Sequence, residues 1–264
     1  MTKYKKEFPD TIGNNPWQDK KVLVIGDSQS AHGEWQAYLS KYLDCNVKTH
    51  AQGGARMLQL VNGERYGFYD KIPSEREVSM SSTIDPNKFG VEEFKPLCAD
   101  EVRNADLIIV MGLYNEAVPF TYDYGSRSDL YPKHTTFCGR FNYMITRIRE
   151  VLKNAGNDDC QIMVTNMHRC GSNAYLSMTS YDYGDAYTDS LKLLCRQNRI
   201  QMLDLMHECP IDSTNWSYYQ LSTYLTAEES ALRPLADKTR PDYLHLNSHG
   251  HLAVASTIAR LLSK

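Results

Sequence analysis

Ser28, Asp242 and His245 are the side chains of this sequence best suited to covalent chemistry as a set. Ser28 closes Gly26-Asp27-Ser28, directly behind the apolar run Val22-Leu23-Val24-Ile25. Asp242 and His245 stand three residues apart in Asp242-Tyr243-Leu244-His245, near the other end of the chain. A serine hydroxyl is a poor nucleophile until a base takes its proton. Histidine is the usual base because it titrates near neutrality. A carboxylate fixes the imidazole tautomer and stabilises the imidazolium. Acyl transfer also builds an oxyanion, and each donor aimed at it is worth roughly 3 kcal/mol. The backbone N–H of Ser28, the N–H of Gly54 and the side-chain amide of Asn115 are the candidate donors, and glycine lets the backbone come close.

Elements far apart in sequence must bring these groups together. Lys21–Ile25 reads as a buried parallel strand, Asn46–His50 as a weaker one, and Asp106–Met111 as the clearest of all. Gln161–Thr165 and Ile200–Leu205 complete five. Helical spacing marks Gly33–Leu43, Arg140–Leu152, Tyr187–Gln197 and Ser248–Leu262, the last with Ser248 as expected N-cap. Strand alternating with helix implies a parallel sheet covered on both faces. Active sites in such sheets form at the carboxyl ends of the strands, and Ser28, Gly54 and Asn115 each follow one. A turn over Asp242–His245 would supply acid and base from one loop. Long connections are expected near 62–100, 116–135, 170–186 and 210–240, a length usually reserved for function. They carry Tyr66, Tyr69, Tyr122, Tyr124, Tyr131, Tyr175, Tyr181, Tyr183, Tyr218, Tyr219 and Tyr224. Tyrosine offers an apolar face and a hydroxyl, which suits sugar rings as well as packing of the loops onto the body.

Four blocks, in order, resemble the SGNH (GDSL) hydrolase family. Val24-Ile25-Gly26-Asp27-Ser28 is similar to the nucleophile block and Ala51-Gln52-Gly53-Gly54-Ala55 to the glycine block. Val110-Met111-Gly112-Leu113-Tyr114-Asn115-Glu116 is similar to the asparagine block, with one residue more before the asparagine than the usual Gly-x-Asn-Asp. Asp242-Tyr243-Leu244-His245-Leu246-Asn247 is similar to the acid–base block ahead of the final helix. The resemblance covers most of the chain. It implies a three-layer α/β/α sandwich around a central parallel sheet of about five strands, the flavodoxin-like fold of those hydrolases. It also implies Ser28 as nucleophile, His245 as base and Asp242 as orienting acid. Ser28, Gly54 and Asn115 would form the oxyanion hole. Members are esterases, lipases and carbohydrate deacetylases. The expected activity is hydrolysis of small acyl esters, above all O-acetyl groups on a carbohydrate, with no metal or other cofactor. Two alternatives stand beside it: a carbohydrate-binding or interaction module with little turnover, and a lipase or thioesterase of the same fold. Ser28 is followed by Gln29 and Ser30, so the Gly-x-Ser-x-Gly elbow of α/β-hydrolases is absent.

Single residues have plainer readings too. Ser28 alone fits a helix N-cap. Asp27 is expected to hold its loop through backbone N–H groups, and His249 and His251 to belong to the start of the last helix. His245 and His249 share a zinc-type H-x-x-x-H spacing, but Leu246 stands where a zinc protease has its Glu. Asp182, Asp185 and Asp189 do not match an EF-hand and read as a solvated acidic loop. His32 could line a pocket or lie on the surface, and Arg56 could meet substrate or cap its loop.

At 264 residues and a formal charge of −3, the chain gives no sign of a nucleic-acid partner, and its apolar runs are too short for a membrane span. The expected division is an N-terminal arm over 1–20 and a hydrolase domain over 21–264. The arm has no apolar leader stretch, which leaves the cytoplasm, or secretion after removal of a leader. Seven scattered cysteines, an odd number, point to reduced thiols.

Overall fold

The computed structural model describes residues 15–31, 33–53, 55–62, 95–111, 136–169, 181–212, 214–224 and 239–263. Five strands, β1 (Lys21–Gly26), β2 (Asn46–Ala51), β3 (Leu107–Met111), β4 (Gln161–Thr165) and β5 (Gln201–Leu203), form one parallel sheet in the order β2-β1-β3-β4-β5. β1 and β3 lie inside it and are β-branched and apolar, as strands covered on both faces must be.

Side chains alternate across a strand, so the sheet splits its apolar residues between two cores. Leu23, Ile25, Ile108, Val110, Ile162 and Val164 face α3 (Met57–Asn62), α4 (Ala99–Val102), α5 (Phe137–Asn154) and α6 (Tyr181–Gln197). Val22, Val24, Leu107, Ile109, Met163 and Leu203 face α2 (Glu34–Leu43), α7 (Leu205–Glu208), α8 (Trp216–Tyr219) and α9 (Ser248–Leu262). The result is a three-layer α/β/α sandwich. In α5, Phe137, Phe141, Met144, Ile145, Ile148, Val151 and Leu152 recur at helical spacing and are buried, and the Thr136 side chain caps the helix by accepting from the Gly139 N–H.

Several boundaries differ from the sequence reading. α5 starts at Phe137, ahead of the expected Arg140, and α6 starts at Tyr181, not Tyr187. Asp182, Asp185 and Asp189 therefore lie on a helix rather than a solvated loop; the exposed Asp189 pairs with Lys192 at 3.9 Å. The N-cap of α9 is Asn247, not Ser248. Its Oδ1 accepts from the N–H groups of His249 and Gly250, which an amide side chain one residue earlier reaches better. The region 210–240 is not one connection: it holds α8 and β6 (Gln220–Tyr224). β6 pairs antiparallel with β7 (Thr239–Leu246) in a separate two-stranded ribbon. Asp242 and His245 thus sit on a strand, not a free loop. Gln220 faces Leu246 while Ser222 faces Pro241, so β7 carries a register irregularity between those positions, and that is the stretch holding both residues.

Of the arm, only 15–20 is described. There the buried Trp17 donates its Nε1–H to the carbonyl of Leu262, 3.0 Å away at the end of α9. The six described cysteines are free thiols. No described helix is long and apolar enough to cross a membrane.

Candidate active site

β1 ends at Gly26, and a four-residue helix, α1 (Ser28–Ala31), begins two residues later. Gly26 is dictated by space: a Cβ there would lie 2.4 Å from the carbonyl oxygen of Met111 and 2.6 Å from Ser30 Oγ. The fully buried Asp27 holds the turn. Its Oδ1 accepts from the Gln29 N–H at 3.0 Å, and its carbonyl accepts from the N–H groups of Ser30 and Ala31. That is the structural role expected of it. Ser30 Oγ donates to the carbonyl of Met111 at the end of β3, and Gln36 Nε2 donates to the carbonyl of Ser30. These bonds seat Ser28 at the carboxyl rim of the sheet. As the first residue of a helix, its N–H has no acceptor within that helix.

His245 comes from β7, in the other sheet. Its Nε2 lies 3.0 Å from Ser28 Oγ, and the two residues are 217 positions apart in sequence. This is hydrogen-bond distance for a nucleophile and its base. Asp242 is on the same strand, three residues ahead. Gly54 and Asn115 lie outside the described residues, as do His32 and the tyrosines at 66, 69, 122, 124, 131 and 175. The turn leading to Gly54 is described. Gln52 donates its N–H to the Gly26 carbonyl, and a Cβ on Gly53 would stand 3.9 Å from Ser28 Cβ. Arg56, half-buried, lies just ahead of α3 and its carbonyl accepts from the Leu60 N–H.

The neighbouring histidines have other tasks. His249 and His251 belong to the first turn of α9, as expected. His249 stacks on Tyr218 with ring centroids 4.8 Å apart, and His251 Nε2 lies 3.7 Å from Glu34 on α2. His245 Nε2 thus points to Ser28, while the His249 ring lies on a tyrosine.

Two residues at this rim carried no motif. His168, just past β4, is wholly buried and lies against Trp216, ring centroids 6.2 Å apart. Its Nδ1 donates to the Arg169 carbonyl at 2.7 Å. Burial pushes its pKa down to about 4, and the nearby His251 and His245 press the same way. The imidazole is therefore neutral near pH 7. Its position after a strand end was the available signal. Gln29, 3% exposed, donates its Nε2 to the carbonyl of Leu244 at 3.1 Å.

No family model and no curated protein matches the chain. Solved structures do. One crystal structure superposes with a TM-score of 0.52 at 14% identity, covering 94% of this chain and 97% of its own. An acetylxylan esterase from Geobacillus stearothermophilus, solved as a catalytic mutant, gives 0.47 at 14% identity over 94% and 95%. A GDSL-like lipase from Bacteroides thetaiotaomicron VPI-5482 gives 0.43 at 11% over 93% and 88%. At these identities the likeness is one of fold.

Proposed function

We propose that the chain is a serine ester hydrolase of the SGNH type that removes small acyl groups, O-acetyl on a carbohydrate being the favoured class. The observation that carries the reading is the 3.0 Å approach of His245 Nε2 to Ser28 Oγ, from two different sheets. In the proposed mechanism, Ser28 Oγ bonds to the ester carbonyl carbon while its proton passes to His245 Nε2. Asp242 holds the other ring nitrogen and balances the imidazolium charge. The oxyanion is received by the N–H groups of Ser28 and Gly54 and by the amide of Asn115. Collapse breaks the ester C–O bond, and His245 returns its proton to the departing alcohol. Water then attacks the acyl-enzyme, giving its proton to His245, and the carboxylic acid leaves as Ser28 Oγ is reprotonated. The scheme needs no cofactor.

The carbohydrate part rests on aromatic surface. Tyr218 is 57% exposed, stacks on His249 and meets Tyr219 edge-on at 5.0 Å, in the segment packed beside the start of α9. An exposed ring of this kind, stacked on a histidine four residues past His245, can carry the apolar face of a pyranose.

The test is a panel of p-nitrophenyl esters of increasing acyl length and acetylated sugars, with Ser28→Ala as control. Acetyl esters should turn over fastest. Ser28→Ala should lose at least about 10³-fold in kcat, as removal of a triad nucleophile does, with its melting temperature kept. A fluorophosphonate should label the wild type at Ser28. Undiminished turnover by Ser28→Ala overturns the proposal, and saccharide binding without labelling favours the binding-module reading.

A further inference from the structure

We infer that Gln29 is the positioning residue that registers the nucleophile against its base; the inference rests on the reading of Ser28 and His245 given above. β1, which delivers Ser28, belongs to the five-stranded sheet, and β7, which delivers His245, to the two-stranded ribbon. Among the described residues, no backbone ladder joins the two sheets. Side-chain contacts between them therefore help to set the 3.0 Å separation of Ser28 Oγ and His245 Nε2. Gln29 bridges this gap with a 3.1 Å hydrogen bond. It directly follows Ser28, and the Leu244 carbonyl that accepts its Nε2–H directly precedes His245. Gln29 is itself fixed at both ends. Its backbone N–H is held by the buried Asp27 carboxylate at 3.0 Å, and its side chain is 3% exposed, so water competes little for the bond. Loss of a polar link directly beside both nucleophile and base should be felt in the rate, since a misplacement of ~1 Å can cost about 10²-fold.

Gln29→Met keeps the length and loses the donor. Gln29→Glu keeps the shape and turns an oxygen toward the Leu244 carbonyl. With p-nitrophenyl acetate, both should lower kcat by about 10- to 100-fold, Gln29→Glu more, because alignment rather than binding is disturbed. KM should stay within about two-fold, and the rate of fluorophosphonate labelling at Ser28 should fall in step with kcat. Circular dichroism and thermal unfolding show whether each variant is folded, and if Gln29→Met is not, Gln29→Glu decides. A folded variant with labelling rate and kcat within two-fold of wild type overturns the inference while leaving the hydrolase reading intact. A wild type that neither hydrolyses esters nor takes the label overturns both.

Discussion

At the scale of single residues, the buried His168 makes stability depend on pH. Its imidazole is held neutral down to about 4 in the fold, whereas an unfolded histidine takes a proton near 6.5. The unfolded state therefore binds the extra proton first as pH falls, and stability drops from about pH 6.5 toward pH 4. The contribution lost across that window is on the order of 3 kcal/mol. Urea unfolding between pH 7 and pH 4 measures it. His168→Phe should start lower at pH 7, having lost the bond to the Arg169 carbonyl, but fall less steeply on acidification. Residue types and their spacing marked Ser28 and His245 in the sequence as a candidate nucleophile and base, and the fold brings the two to 3.0 Å. Gln29 and His168 were not legible. A glutamine amide or a buried imidazole acquires its role from the carbonyl it meets, and that carbonyl is 215 residues away for Gln29.

At the scale of elements, the turn from β1 to α1 has no room to vary. Gly26→Ala would press a methyl group against the Met111 carbonyl, so the backbone must shift. A loss of roughly 1–3 kcal/mol is expected from such overpacking. Because Ser28 follows two residues later, kcat should fall by more than the stability loss alone would cause, and parallel urea titrations and ester assays compare the two. At the other side of the site, Asn247 caps α9 and donates its Nδ2–H to the Tyr218 carbonyl at 2.8 Å. Asn247→Ala should cost about 1 kcal/mol as a lost cap. Asn247→Asp keeps the capping oxygen and adds a charge favourable at a helix N-terminus, so a net destabilisation in urea unfolding would mark the lost tie to α8. The parallel strands were readable because buried β-branched runs such as Leu107–Met111 announce themselves. The β6–β7 ribbon was not. Gln220–Tyr224 and Thr239–Leu246 are mostly polar, and Pro241 interrupts the second, so pairing rather than pattern makes them strands.

At the scale of the whole molecule, the segment ahead of β1 and the end of the last helix secure one another through Trp17. Trp17→Phe leaves the Leu262 carbonyl without its indole donor in a buried setting, and thermal unfolding should register about 1–2 kcal/mol. The distance in sequence between Ser28 and His245 also has a consequence in time. At ~5–20 residues per second a ribosome needs roughly ten to forty seconds to travel the 217 positions from one to the other. A nascent chain carrying β1 to β5 already has Ser28, the proposed nucleophile, but not His245, its proposed base. On the proposed roles, the serine therefore meets its base only once the second sheet is synthesised.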